Sequence, residues 1–321
     1  MNNNKQDNLT YRSPLRITFT KLIKKKLAVA SMVMLLILYG SGIFASVLSP
    51  YPYTETDLKN TQQGPSQEHF FGTDRLGRDI FTRALWGIQT TVIVTFVGLL
   101  TGSLILGVSL GLISGYFQGK IDSLIMRLGE ITSAFPDILL IILLAATLRP
   151  RIVDLARSIE EKTGITGLIS SGFIDYVVIG FALLPLSWFG MMRLVRGQVL
   201  SVVNSEYIES AKAMGVSRTR ILIKHVFPNI LGPIIVSATF GLGAVAGTEI
   251  ILSFFGLGVQ PPHPSLGIMI SEVTARGAAS VSVLKNHPEQ LLVPIIIVWL
   301  LIFCWNLLGD ALTDVFNPRS K

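Results

Sequence analysis

Two long runs without any charged side chain constrain this chain of 321 residues more than any other feature. Residues 27–48 and 84–119 contain no Asp, Glu, Lys or Arg. Because a helix rises about 1.5 Å per residue, about 20 apolar residues cross the ~30 Å hydrocarbon core of a bilayer. Only 15% of the residues are charged, against about a quarter in a typical soluble domain. The sequence therefore predicts an all-α, polytopic membrane protein.

Six transmembrane helices are predicted from the apolar runs. The first lies at 27–48 and is too long for the apolar core of a cleaved signal peptide. Since the run 84–119 exceeds one span, we expect a lead-in helix along the outer surface and a second span at about 92–115. The other spans are predicted at about 128–148, 176–192, 229–257 and 291–309. Glycines in the second span favour close approach of a neighbouring helix, and these are Gly98, Gly102, Gly107, Gly111 and Gly115.

The basic residues predict the orientation of these spans. With the amino end inside, the inner segments hold 17 of the 27 Lys and Arg residues, as the positive-inside rule requires. Both termini are therefore expected in the cytoplasm. The predicted organisation is a basic cytoplasmic segment 1–26, a first span with an external segment 27–83, a core of five spans 84–310 and a cytoplasmic tail 311–321. We attribute the net charge of +7 to basic loops that set the orientation of the protein in the membrane, and not to nucleic-acid binding.

The sequence carries little that supports enzymatic chemistry. Its single cysteine, Cys304, excludes an internal disulfide. A phosphate-binding loop has four residues between its two glycines and then Lys with Ser or Thr. The nearest match, "GYFQGKI" at 115–121, is one residue short and ends in isoleucine. The four histidines show no ligand spacing, so we predict no catalytic residue, bound cofactor or metal in this chain.

A polar segment interrupts the apolar runs on the predicted cytoplasmic side, "EYIESAKAMGVSRTRILIKHVFPN" at 206–229. Gly215 is suited to the left-handed conformation that ends a helix. One apolar face recurs at helical spacing, formed by Tyr207, Ile208, Ala211 and Met214. Candidate helix caps are Asn204 or Ser205 for the first helix and Ser217 for the second. The segment is either an amphipathic linker on anionic lipid or a helix offered to a groove in a cytoplasmic partner.

Acidic residues at membrane depth need a reason, because burying a charge there is costly. Glu249 lies inside the predicted fifth span. It either lines a translocation path or a gate, or finds a hydrogen-bonding partner within the bundle. Asp137 follows Pro136 in the predicted third span, where we expect it to cap a restarted helix.

Closely spaced opposite charges follow the first span in "GTDRLGRD" at 72–79. One interpretation is helix capping by Thr73 or Asp74 together with local ion pairs. The other is contact with an external solute-binding protein, through Asp74, Arg78 and Asp79.

Motifs along nearly the whole chain resemble those of ABC importer permeases. The segment 206–229 resembles the "EAA" loop of that family through Glu209, Ala211, Gly215 and Pro228, with Ser210 where a second alanine is frequent. "FGTDRLGRDIFTR" at 71–83 is similar to a box in the C-type permeases of dipeptide, oligopeptide and nickel importers. The same subfamily is matched by "MRLGEITSAFPDILL" at 126–140, "SFFGLGVQPPHPSLGIMISE" at 253–272 and "NLLGDALTDVFNPR" at 306–319.

The resemblance implies the type I ABC importer permease fold, with six transmembrane helices, in the bacterial cytoplasmic (inner) membrane. It implies a coupling loop at about 196–228, with the ATPase-contacting residues Glu209, Ser210, Ala211, Gly215 and Pro228. The implied partners are a homologous second permease subunit, two ATP-binding subunits that hold ATP and Mg, an extracytoplasmic solute-binding protein, and membrane lipid.

The solute implied by the resemblance is a di- or oligopeptide, with nickel or another metal chelate as the alternative. A secondary transporter is a rival interpretation, but it needs coupling-ion residues at the midplane, for which only Glu249 qualifies. A membrane scaffold without transport is a further rival. The external stretch 149–175 is longer than the resemblance leads us to expect, and Glu130 stands where the subfamily usually has Asp.

Overall fold

The computed structural model describes residues 20–164, 166–275 and 278–316. Within these ranges the protein is built from helices and contains no β-strand. Helical segments that a π-helical stretch joins are numbered here as one helix. The helices are α1 Lys26–Ile43, α2 Ala45–Leu48, α3 Ile80–Phe117, α4 Gly119–Ser133, α5 Asp137–Thr163, α6 Phe173–Val202, α7 Glu206–Ala213, α8 Arg218–Phe254, α9 Leu266–Thr274, α10 Ala278–Asn286 and α11 Glu289–Phe316.

The long helices confirm the predicted polytopic membrane protein. Four of them, α1, α3, α8 and α11, are each long and apolar enough to cross a bilayer. Two bent pairs, α4 with α5 and the two halves of α6, pass the same test together, which gives six spans when each pair counts as one. The predicted basic segment 1–26 and tail 311–321 lie partly outside the described residues.

The second span and its lead-in form one helix, and the prediction of two separate helices is wrong. α3 is continuous over 38 residues, or at most about 57 Å at the α-helical rise. Asp79 caps its start, because its carboxylate accepts a hydrogen bond of 2.7 Å from the Thr82 amide. Residues 80–117 contain no proline that would end the helix. The domain boundary predicted at residue 84 therefore falls inside α3.

The third predicted span is broken near its start. α4 and α5 meet at 87°, because Pro136 disfavours the helical conformation at the residue before it. Pro136 holds the N-cap position of α5, and Asp137 begins the first turn without a side-chain capping hydrogen bond, so the predicted cap is wrong. α5 continues to Thr163, where Gly164 ends it with φ of +71°. With the start of α6 at Phe173, about two-thirds of the predicted external stretch 149–175 is therefore helical.

Glycines allow α3 and α6 to pack closely, as the glycine-rich sequence predicted. A Cβ atom added to these α3 glycines would lie 2.6–2.8 Å from the Cβ atoms of α6 residues, closer than side chains pack. The facing pairs are Gly107 with Met191, Gly111 with Val195 and Gly115 with Val199. Backbone approach of this kind is how helices associate in lipid, where burial of apolar surface gives little drive.

One apolar cluster joins α7 to the ends of α6 and α8. Its members are at most 3% exposed, and we call them the inner cluster: Val195 and Val199 of α6, Ile208 and Ala211 of α7, and Ile221 and Val226 of α8. Because α7 has only eight residues, this burial and not helix propensity holds it in place.

Large apolar side chains remain exposed on the long helices. Leu36 on α1 is 74% exposed, Leu143 on α5 is 58% exposed and Trp299 on α11 is 57% exposed. An isolated soluble chain rarely presents so much apolar surface, whereas lipid or neighbouring spans would cover it.

Candidate functional site

The elbow, which we define as residues 204–229, consists of α7, a glycine turn and the start of α8. Gly215 has φ of +75°. Its amide donates to the Lys212 carbonyl at 3.0 Å, and the Val216 amide donates to the Ala211 carbonyl at 3.1 Å. These two bonds form a Schellman motif and confirm the predicted helix end at Gly215. No atom would lie within 4 Å of a Cβ at this glycine. Glycine is therefore favoured here by the left-handed backbone conformation and not by a lack of space for a side chain.

The predicted apolar face of α7 divides into two sides. Ile208 is fully buried and Ala211 is 3% exposed, both in the inner cluster. Tyr207 and Met214 are 47% and 76% exposed. α7 therefore packs on the protein with one side and presents apolar side chains to solvent or a partner with another.

The other residues that resemble the "EAA" loop lie on the surface of the elbow. Glu209, Ser210 and Pro228 are exposed. The Ser210 hydroxyl donates to the Glu206 carbonyl one turn earlier, at 2.9 Å. Pro228 follows the π-helical segment Ile221–Val226 near the start of α8.

The predicted helix caps lie at the correct positions, but the capping hydrogen bonds expected of them are not formed. Ser205 and Ser217 occupy the N-cap positions of α7 and α8, but neither side chain makes a capping hydrogen bond. The Ser205 hydroxyl donates instead to the Val202 carbonyl at 2.6 Å, so the elbow is held by the Schellman turn and the inner cluster.

Glu249 is enclosed between two spans. Its side chain is fully buried. One carboxylate oxygen accepts from the Thr91 hydroxyl of α3 at 2.8 Å, and the other accepts from the Ser253 hydroxyl of α8 at 2.7 Å. Glu249 thus holds α8 to α3, the hydrogen-bonding role weighed from the sequence, and presents no surface to a path.

A cluster of two acidic and two basic residues joins the segment between α2 and α3 to α3 and α9, and we call it the outer charge cluster because the sequence predicts that this segment is external. Asp74 accepts from Arg78 at 2.7 Å and from Arg83 at 2.5 Å. Glu272 of α9 accepts from both arginines at 2.8 Å. Two positive and two negative groups therefore balance in a largely buried position, which offsets the cost of removing them from water.

Asp79 has a different role from Asp74 in the same box. It is 6% exposed, caps α3 and lies 3.0 Å from Nδ1 of His69, so the predicted cap by Thr73 or Asp74 is wrong. Asp74 is 7% exposed. Both acids are satisfied within the chain, and Arg75 is the exposed cation of this box.

The two arginines govern the ionisation of Glu272. Burial raises the pKa of Glu272, but Arg83 and Arg78 outweigh burial, so the pKa lies below its ordinary value. The carboxylate is therefore charged at neutral pH and holds α9 to the start of α3.

Comparison with known families adds to this geometry. The model of the family "Binding-protein-dependent transport system inner membrane component" matches residues 107–321. This chain belongs to that family. The model of the N-terminal TM domain of oligopeptide transport permease C matches residues 13–65 of this inner membrane component.

Three relatives align with this inner membrane component over nearly its full length. The dipeptide transport system permease protein DppC of Alkalihalophilus pseudofirmus is 38% identical over 98% of this chain and 93% of the relative. The oligopeptide transport system permease protein OppC of Haemophilus influenzae is 34% identical over 94% and 87% of the two chains. The glutathione transport system permease protein GsiD of Pectobacterium atrosepticum is 34% identical over 97% and 93%.

Sequence reasoning missed several charge pairings in this inner membrane component, and two of them join distant parts of the chain. Glu272 pairs with Arg78 across 194 positions, and the sequence interpretation gave it no role. Asp122 of α4 accepts from Arg196 of α6 at 2.5 and 2.6 Å. The sequence shows only that charged residues occur in the short segments between spans. Their presence does not identify which acidic residue pairs with which basic residue.

Glu272→Gln is expected to lower the free energy of unfolding of this inner membrane component by about 2 kcal/mol at neutral pH. Because the folded-state pKa of Glu272 is depressed, its contribution is present above the unfolded-state pKa and is lost as the pH falls through the folded-state pKa. Thermal melts of the purified wild type and variant should therefore differ at neutral pH and converge on acidification.

Glu68→Gln is the matched control, because Glu68 lies in the segment between α2 and α3 that also carries Asp74, and its side chain is exposed. It should leave the melting temperature unchanged. A Glu272→Gln deficit that persisted into strong acid, or an equal deficit for Glu68→Gln, would show that the outer charge cluster does not act through this ion pair.

Proposed function

We propose that this chain is the permease subunit of an ABC importer for di- or oligopeptides, driven by ATP hydrolysis in separate subunits. The observation that carries the proposal is the elbow in a chain of this family. It is fixed to two spans on one side and exposes Tyr207 and Met214 on the other. The proposed partners are a homologous second permease, two ATP-binding subunits that hold ATP and Mg, and a solute-binding protein outside.

The relatives support a peptide as the solute. Their names refer to dipeptides, oligopeptides and glutathione, and all three solutes contain peptide bonds. Nickel, the alternative from the sequence, appears in none of these three names. The proposal of a transport permease rests on the family, and the proposal of a peptide as its solute rests on these relatives.

The exposed side of α7 is the proposed contact with an ATP-binding subunit. Two exposed apolar side chains about two turns apart suit a helix that enters a hydrophobic groove. The exposed Glu209 and Ser210 lie between them in sequence and offer polar contacts at the rim. The elbow belongs to the cytoplasmic side under the orientation that the basic residues predict.

The buried side of α7 is the proposed route by which motion reaches the spans. The inner cluster contains residues of α6, α7 and α8 in one packed unit. Since packed interiors transmit displacement and do not absorb it, a shift of α7 would move the inner ends of α6 and α8. Alternating access then follows when the ATP-binding subunits approach and separate.

Replacing Tyr207 and Met214 together by alanine is expected to reduce peptide uptake at least about tenfold. Each side chain would lose its partner contact, and central apolar anchors commonly contribute 1–2 kcal/mol or more, where about 1.4 kcal/mol is tenfold. The measurements are uptake of a labelled dipeptide in cells and recovery of the ATP-binding subunits with the purified variant.

Val281→Ala serves as the control, because Val281 is 67% exposed on α10, at the predicted outer face. It should retain uptake and subunit recovery. Full uptake by the Tyr207→Ala, Met214→Ala variant would refute the docking role of the elbow, and uptake that persists without ATP would refute the ABC importer itself.

A further inference from the structure

A polar cavity of about 520 Å³ lies where the ends of α3 and α6 meet the elbow. At the end of α3 its lining includes two aromatic residues and one amide residue. The elbow contributes another amide residue and two basic residues. These are Tyr116, Phe117, Gln118, Asn204, Lys212 and Arg218. The proposed docking side of α7 contributes none of the lining residues.

The charge of the cavity is positive. No acidic residue of the described chain lines it. Within the described ranges neither Lys212 nor Arg218 forms an ion pair, and Lys212 donates only to the Val203 carbonyl, at 3.4 Å. The nearby acid Asp122 is already bound by Arg196. Two uncompensated cations around one cavity attract an anion.

The cavity lies on a different side of α7 from the exposed apolar pair. At about 100° per residue, Lys212 is rotated by roughly 140° from Tyr207 and by roughly 160° from Met214. An ATP-binding subunit that covers Tyr207 and Met214 therefore leaves Lys212 facing away from it. This separation favours a ligand other than that subunit.

The position of the cavity favours a lipid over a soluble anion. α3 is a candidate membrane span, and the cavity begins at its last residues, where Phe117 is 42% exposed. Tyrosine is enriched at the headgroup level of the bilayer, and Tyr116 lines the cavity at this end of α3. The volume exceeds that of inorganic phosphate and lies in the range of about 300–1,000 Å³ for small-molecule sites.

We propose that this cavity binds the headgroup of an anionic phospholipid of the inner leaflet. Lys212 and Arg218 pair with the phosphate, and the side-chain amides of Asn204 and Gln118 hydrogen-bond to it or to headgroup hydroxyls. Basic pockets between spans on the cytoplasmic side bind such headgroups. The inference rests on the cytoplasmic orientation of the elbow given in the proposed function.

The test counts bound lipid on the complete transporter, purified with its partner subunits into nanodiscs of phosphatidylcholine with increasing phosphatidylglycerol. Native mass spectrometry measures the phosphatidylglycerol that each complex retains. Lys212→Gln with Arg218→Gln is expected to weaken retention at this site about 30-fold, from the usual contribution of two basic residues near a charged bilayer. The charge-retaining swap Lys212→Arg with Arg218→Lys should keep most of the binding.

Arg220→Gln with Lys224→Gln is the matched control. Both residues are exposed on the same elbow and lie outside the cavity lining, so the same charge is removed elsewhere and retention should not change. Equal loss in both double variants, or no loss in either, would overturn the site. Displacement of the lipid by millimolar inorganic phosphate would identify a free-anion site and also overturn the lipid assignment.

Two further readouts separate this inference from the proposed function. Loss of the ATP-binding subunits from the Lys212→Gln, Arg218→Gln variant, with lipid retained, would make the cavity a protein contact and refute lipid binding. Labelling of Thr219→Cys by an impermeant maleimide tests the orientation alone, because Thr219 is an exposed elbow residue outside both the cavity lining and the proposed docking side, and the native Cys304 is buried. Labelling from outside in right-side-out vesicles would remove the basis of both proposals, whereas labelling only after permeabilisation supports them.

Discussion

Gly215→Val is expected to abolish peptide uptake while the chain still inserts into the membrane in normal amounts. Gly215 has φ of +75°, a conformation that costs a β-branched residue about 3 kcal/mol. Such a cost lowers the population of the correct turn roughly 100-fold. Without the turn, α7 loses its fixed angle to α8, and the proposed contact with the ATP-binding subunit loses its geometry. Uptake of labelled dipeptide and the amount of protein in the membrane fraction measure the two parts of the expectation.

Two controls separate the conformational cost from the added volume. Gly164→Val imposes the same left-handed strain at the end of α5, where φ is +71° and no atom lies within 4 Å of the added Cβ, and it should leave uptake largely intact. Gly215→Asn should restore part of the uptake, because asparagine tolerates left-handed backbone. Normal uptake by Gly215→Val, or an equal loss in Gly164→Val, would contradict the role of the turn in coupling.

The end of α7 was predictable because its cause is local. A helical pattern followed by glycine predicts a left-handed C-cap, and the structure has that turn at Gly215. Which apolar residues of α7 are buried was not predictable. Ile208 and Ala211 are buried because residues of α6 and α8 cover them, and no local pattern distinguishes them from Tyr207 and Met214.

A chain of several spans was predictable, and the structure has four to six of them, but the extent of each helix was not predictable. Length and composition indicate bilayer crossing, but they do not say where a helix ends outside the hydrocarbon core. α3 therefore runs on through the predicted lead-in. The break between α4 and α5 had a signal in Pro136, which disfavours helix before it. Hydropathy alone could not show the 87° bend there.

The charge clusters mark the limit of reasoning from one sequence. Acidic and basic residues of the 72–79 box indicated local ion pairs, and Asp74 with Arg78 is one. Of the other two members, Arg83 lies in α3 shortly after the box, whereas Glu272 comes from the distant helix α9, and tertiary packing decides its partners. Glu249 was recognised as needing a partner because of its depth, yet Thr91 became that partner only through the packing of α3 on α8.

Gly111→Val is expected to separate α3 from α6 and to lower the stability of the protein by at least about 3 kcal/mol, the upper range for overpacked interiors. A Cβ at Gly111 would lie 2.6 Å from the Cβ of Val195 and 2.8 Å from the Met192 carbonyl oxygen. The second contact is backbone, so a change of rotamer cannot relieve it and α6 itself must move. Thermal melting followed by size-exclusion chromatography of the purified protein measures the loss.

Gly197→Val supplies the control on the partner helix, because no atom lies within 4 Å of a Cβ at Gly197. Both variants add the same side chain within a long helix, so helix propensity changes alike, and only Gly111→Val forces a contact between α3 and α6. Because α6 also carries Val195 and Val199 of the inner cluster, separation at Gly111 should weaken the packing beneath α7. Gly111→Val should therefore lose uptake at temperatures below its melting point, and wild-type uptake and melting would show that α3 and α6 do not pack through this glycine.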